Sequence, residues 1–312
     1  MQLPILFSFF LAYLVCIALG ANNASVCVGT SGGVISRGYL TLATVAGVGA
    51  VLGTIIEGGK LSNAIYGGVL INPSDKGTPI LLLTTLVVML LASIVRLPVS
   101  LMQAMVGVAL TVGILLETGV KWSFVILVAS SWVATPLVAA AASIVIYHVV
   151  KRIGRRIGNI FQRVKVYAII TLSGSFYVGY ALGANGVGLV NGILQSTIGS
   201  LPMFSVFLST AAVVGIYVFG YRVTRTVSER ILALTGAAAL AAQLGGALTV
   251  HLFTQFGVPV SITQAIIGGI TGIGQAKDIA IVNRRIVLHI ILGWIIAPLT
   301  GIGLAWLMLT LP

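Results

Sequence analysis

Apolar residues run through this chain in long unbroken blocks rather than alternating with polar ones. Blocks near 20 residues are what a helix needs to cross hydrocarbon, because that length at 1.5 Å per residue matches the bilayer core. They predict spans over roughly 3–19, 38–56, 79–97, 99–116 and 122–149 in the first half of the chain. The second half predicts roughly 166–182, 203–221, 231–253, 260–276 and 285–310. Two stretches, 22–37 and 185–200, are rich in Gly, Asn, Ser and Thr, too polar and too short to cross as ordinary helices. The fold class is therefore an all-α membrane protein of about ten transmembrane helices plus two broken or re-entrant segments.

The polar interruptions occur twice. Ala-Leu-Gly-Ala-Asn stands at Ala18–Asn22 and at Ala181–Asn185, an offset of 163 positions. Pro-Val-Ser-x-x-Gln-Ala stands at Pro98–Ala104 and at Pro259–Ala265, an offset of 161. Same order and nearly the same spacing mean one unit built twice. The predicted organisation is a first repeat over 1–150, a basic cytoplasmic linker over 151–165 that lies on the membrane surface as a helix, and a second repeat over 166–312.

Composition agrees. The chain is 58% hydrophobic and 7% charged, against roughly 25% charged residues in a soluble domain. Its net charge of +12 could suggest nucleic acid, but the charges fall in short loops between apolar runs, which excludes a DNA-binding face. With the linker inside, 14 of the 17 Lys and Arg are cytoplasmic, leaving Lys60, Lys76 and Lys121 outside. The positive-inside rule then places both termini outside the cell membrane, and five crossings per unit invert the second unit relative to the first. Inverted repeats with broken helices mark secondary transporters. Residues 1–21 could pass for a signal peptide, but their ending recurs mid-chain, so they read as the first span.

Backbone that leaves a helix inside a bilayer must be buried in protein or line a cavity. Glycine-rich breaks also aim helix N-termini, with free N–H groups and positive dipole ends, at whatever fills that cavity; anions suit such a place. The candidate substrate-binding residues are Asn22, Asn23, Ser25, Thr30 and Ser31 in the first interruption, and Asn185, Gly186 and Asn191 in the second. Ser100 and Gln103, with Ser261, Thr263 and Gln264, add hydroxyls and amides at two helix starts within the membrane. Small residues and Gln also pack helices together, the reading preferred for Gly107, Gly113, Gly268 and Gly274.

All five acidic residues, Glu57, Asp75, Glu117, Glu229 and Asp278, map to loops or span ends. His289 falls within the last span and could relay protons, whereas His148 and His251 read as span-end residues. No metal site or enzyme cofactor is implied. A cation could bind near Asn22, Asn185 and Gln243, so Na+ or H+ could be co-transported. No nucleophile–base pair or metal cluster is visible, which sets aside a membrane enzyme.

At these residues the chain resembles the inorganic phosphate transporter family of sodium- or proton-coupled permeases. That family carries Gly-Ala-Asn-Asp-Val-x-Asn at the start of each inverted repeat and Pro-Val-Ser-Thr-x-His-Ala later in each. The resemblance covers essentially the whole chain and implies a homodimeric permease. The departures are systematic: the signature Asp is Asn23 in one copy and Gly186 in the other, and the His is Gln103 and Gln264. The family's Glu stands here as Gln243.

The resemblance implies a tetrahedral oxyanion as substrate, and chemistry bears on which one. Phosphate near pH 7 keeps a proton that a carboxylate can accept, whereas sulfate is fully ionised and wants donors alone. Replacing carboxylates by amides therefore favours a sulfate-like dianion, while the resemblance implies phosphate. Entry against an inside-negative potential costs about 2.3 kcal/mol per charge at 100 mV, so accumulation needs a co-transported cation or anion exchange. The alternative is an anion channel with the broken segments as its filter.

Overall fold

A computed structural model describes residues 2–24, 28, 38–72, 76–94, 99–199, 202–231, 236–276 and 284–311. Among the described residues the chain is all-helical, with only isolated bridges in the loop that joins Tyr66, Leu70 and Val120. Eleven helices follow in order: α1 (Gln2–Ala24), α2 (Tyr39–Glu57), α3 (Gly77–Ile94), α4 (Leu101–Leu115), α5 (Trp122–Arg156) and α6 (Ile160–Ala181). After these come α7 (Gly188–Ile198), α8 (Pro202–Ile231), α9 (Gly236–Gln255), α10 (Ile262–Ala276) and α11 (Arg284–Thr310). A 3-10 turn, Gly58–Leu61, extends α2, and a π turn, Leu182–Val187, joins α6 to α7.

Among the described residues, seven stretches of helix are long and apolar enough to cross a membrane. Their outward faces carry Leu, Ile, Val and Phe with no polar cover, for example Val133, Leu137 and Val145 along α5; such a surface suits lipid, not water. The helices lie where the apolar runs predict them, with three differences. The runs at 99–116 and 260–276 form helices of 15 residues, α4 and α10. Those are roughly 22 Å long at 1.5 Å per residue, short of the ~30 Å hydrocarbon core. Second, the linker is not a separate surface helix: α5 continues to Arg156, a three-residue bend follows, and α6 starts at Ile160. Asn159 caps that start, its Oδ1 accepting from Phe161 N at 2.8 Å, which lets the turn be tight. Third, the polar stretch from 185, expected to be broken or re-entrant, keeps helical backbone through a π turn and on into α7.

Close helix packing pairs elements from the two halves. α1 lies on α8 and α6 on α2; α4 lies on α11 and α10 on α5. Glycines set these contacts, because only a missing Cβ lets backbones approach so closely. A Cβ at Gly20 would sit 2.0 Å from Ala212 O, and one at Gly183 would sit 1.9 Å from Ala50 O. Gly107 meets Pro298 O and Gly268 meets Pro136 O, both at 2.3 Å on the same measure. Each second contact is the first with its partners exchanged between halves.

Candidate functional site

Ser100 and Ser261 open α4 and α10 in the same way. Ser100 has extended backbone, and its Oγ accepts from Gln103 N at 3.4 Å. Ser261 Oγ accepts from Gln264 N at 3.3 Å. Each hydroxyl satisfies one of the orphan N–H groups of a first helical turn and leaves the others at the helix end.

Both helix starts open on one small cavity. Ser100, Leu101 and Met102 line it from α4, and Ser261, Ile262 and Thr263 from α10. Leu19 and Asn23 come from the last turns of α1, and Leu182, Asn185 and Gly186 from the π turn. The remaining wall is Val99 and Val260, so all four motif copies meet here and no described lining residue is charged.

The π turn is what brings the second interruption to the cavity. One extra residue per turn shifts the hydrogen-bond register, and such turns recur at functional sites. It leaves Gly186 against Leu19, where a Cβ would come within 2.9 Å of the Leu19 side chain. Asn185 is fully buried, and its Nδ2 donates to Thr254 Oγ1 at 2.8 Å. Its Oδ1 is buried with no partner among the described residues. Asn23 is held from both ends: Nδ2 donates to Leu19 O at 3.0 Å, and Oδ1 accepts from Thr263 Oγ1 at 3.3 Å.

Of the predicted residues, Asn23, Ser100, Asn185, Gly186, Ser261 and Thr263 line the cavity. Five others stand outside its lining. Asn22 Nδ2 donates to Val99 O at 3.0 Å, tying α1 to the approach to α4. Asn191 Nδ2 donates to Ser205 Oγ at 2.9 Å, joining α7 to α8. Gln243 is buried on α9, with Nε2 3.5 Å from Ser175 Oγ on α6. Gln103 and Gln264 are 2% and 1% exposed, and both Oε1 atoms are buried without a partner among the described residues. Ser25, Thr30, Ser31 and the side chain of His289 lie outside the described residues. Sequence reasoning missed Thr254, which orients Asn185, because the predicted span ended at 253. It also missed the apolar walls, Leu19, Met102 and Leu182, which look like any membrane leucine or methionine.

The geometry can hold an anion in one way. Two helix N-termini supply unpaired N–H groups and positive dipole ends, while hydroxyls and amides add neutral donors. No described histidine, cysteine or acid cluster is arranged to hold a metal ion.

Residues 19–305 match the profile of the phosphate transporter family. A protein of Methanocaldococcus jannaschii whose name describes a phosphate permease is 27% identical over 301 residues, covering 96% of this chain and 94% of that one. The sulfate permease CysP of Bacillus subtilis is 23% identical over 314 residues, covering 98% of this chain and 86% of the other. Among solved structures, a sodium-dependent phosphate transporter shares the fold across the full length of both chains, with a TM-score of 0.85 at 19% identity.

Proposed function

Because the chain belongs to the phosphate transporter family, and so is a multi-pass membrane permease and not an enzyme, we propose that it is a secondary-active carrier of an inorganic tetrahedral oxyanion. The anion binds where α1, the π turn, α4 and α10 converge. One observation carries this reading: an uncharged cavity into which two serine-capped helix starts open, with Asn23, Asn185 and Thr263 on its wall. Positive helix ends attract an anion, and neutral donors bind it without adding a repulsive carboxylate.

Membership in the family and the permease of M. jannaschii favour phosphate. The lining, with Asn23 and Gly186 at the two signature positions, favours a dianion that needs donors only, and the sulfate permease of B. subtilis points the same way. The carrier takes both classes, with preference set at Asn23.

We read the chain as two inverted units, 1–150 and 166–312, joined by the basic segment 151–165 at the cytoplasmic face, with both termini outside. The exchanged glycine contacts support this: Gly20 on Ala212 against Gly183 on Ala50, and Gly107 on Pro298 against Gly268 on Pro136. In such a molecule each unit supplies half of a central site, and rocking one bundle against the other exposes it to alternate sides.

Reconstitution into proteoliposomes tests the proposal. Labelled sulfate and phosphate uptake is expected to saturate, to show counterflow and to be inhibited by each other. Flux far above carrier turnover without counterflow would mean a channel and overturn it.

A further inference from the structure

Away from the cavity, one cluster of titratable side chains is assembled from both halves of the chain. Glu57, the last residue of α2, places Oε1 3.3 Å from Lys60 Nζ. Its Oε2 lies 2.9 Å from Gln255 Nε2 and 3.1 Å from His251 Nε2. The opposite ring nitrogen, His251 Nδ1, lies 2.7 Å from the Tyr177 hydroxyl. The imidazole packs beside the rings of Tyr177 and Tyr180, with centroids 5.6 Å and 5.7 Å away, and Tyr180 also faces Glu57. Lys60 Nζ bonds Gln255 Oε1 as well.

The groups around His251 are therefore Glu57 from α2, Lys60 from the 3-10 turn, and Tyr177 and Tyr180 from α6. α10, which also flanks α9, has no titratable residue in Ile262–Ala276. The charged residues of α5, the other neighbour, are Lys121 at its N-cap and Lys151, Arg152, Arg155 and Arg156 in its last turns.

These contacts suit a proton. An ionised carboxylate only accepts, so Nε2 of His251 carries hydrogen toward Glu57. Nδ1 then presents its lone pair to the Tyr177 O–H. An added proton goes to Nδ1, and the Tyr177 hydroxyl turns from donor to acceptor, so neither hydrogen bond is lost in either state. Imidazole is also the side chain whose ordinary protonation range spans pH 5–8. Among the described residues, Glu57 is a partly buried acid, whereas Glu117 is exposed.

The cluster is mechanically joined to the cavity. Thr254, one turn beyond His251 on α9, accepts the hydrogen bond from Asn185 in the cavity wall. Gly58, next to Glu57, meets Gly188 just past the π turn, where a Cβ at Gly188 would lie 2.7 Å from Gly58 Cα. Both sides of the Glu57–His251 contact thus rest on the segment that holds Asn185 and Gly186.

Resting on the carrier reading above, we infer that His251, held between Glu57 and Tyr177, is the site that takes up the coupling proton. Loading it adds one positive charge beside an otherwise balanced Glu57–Lys60 pair. Moving with the anion, that charge offsets part of the electrical cost of bringing a dianion inside.

The test uses the full chain in proteoliposomes, with labelled sulfate and phosphate as probes. Three quantities are followed: counterflow, uptake driven by an inward proton gradient, and external pH on anion addition. Wild type is expected to alkalinise the medium as anion enters. His251→Gln and Glu57→Gln are expected to lower the ratio of pH-driven uptake to counterflow about tenfold or more, within the range of ordinary site coupling. Tyr177→Phe is expected to lower it less. An unchanged ratio and unchanged alkalinisation in both His251→Gln and Glu57→Gln would overturn the inference. So would wild-type accumulation on a sodium gradient without proton movement, or loss of counterflow in all three variants, which would make the cluster a structural brace. Absence of counterflow in wild type would instead overturn the carrier reading itself.

Discussion

Thr263 Oγ1 donates to Asn23 Oδ1 at 3.3 Å, joining two residues 240 positions apart on the wall of one cavity. Asn23 stands at the start of the first interruption, and Thr263 stands in the second motif of the second half. Their contact closes the site between the two halves. It also engages the Asn23 oxygen and, with Nδ2 donating to Leu19 O, lets the protein itself orient the Asn23 amide.

Removing that donor leaves a buried carbonyl oxygen unpaired, at a cost of about 1–3 kcal/mol. Thr263→Val is therefore expected to lower the melting temperature of the detergent-purified protein and to raise the half-saturating oxyanion concentration. Thermal unfolding and uptake kinetics check this, and unchanged values in both would show that the bond is idle.

Asn23→Asp places a carboxylate on the cavity wall. A sulfate dianion meets a like charge there, whereas phosphate can present a proton to it. At about 4 Å with an effective dielectric near 20 the repulsion is about 4 kcal/mol per pair of unit charges. The sulfate-to-phosphate uptake ratio should fall about tenfold or more. Competition assays at neutral pH measure it; a constant ratio would dissociate Asn23 from selectivity.

Ser100→Ala and Ser261→Ala each remove a helix cap, worth typically about 1 kcal/mol, and a hydroxyl from the cavity. Because the two caps have the same geometry, the two variants should lose stability by similar amounts, and both should lose uptake. A large loss from one and none from the other would break the equivalence of the two helix starts.

Gly20→Ala and Gly183→Ala would each drive a methyl into backbone carbonyls that lie 2.0 Å and 1.9 Å from the new Cβ. Overpacking of this kind typically costs about 1–3 kcal/mol, more when the clash is with backbone. Gly303→Ala, where nothing lies within 4 Å of a new Cβ, is the control and should not lower the melting temperature, since Ala is the better helix former. Equal stability of all three variants would contradict the packing of α1 on α8 and α6 on α2.

The amino-acid sequence alone determined the membrane class, the positions of the helices and the duplication of the two polar motifs. Continuous apolar runs and repeated words are one-dimensional signals, and a bilayer reads them almost directly as helices. What only the tertiary structure decided is which motif residues share a space. Asn23, Asn185, Ser100 and Ser261 meet on one wall, while Asn22, Gln103, Asn191, Gln243 and Gln264, equally polar and equally close to the motifs, stand outside its lining. A helix turns about 100° per residue, so neighbouring positions face different ways, and the π turn shifts that phase again at Leu182–Val187. The Glu57–His251 contact was beyond reach for a related reason. Its partners end two helices separated by 194 positions, and no local pattern records that packing sets their side chains 3.1 Å apart.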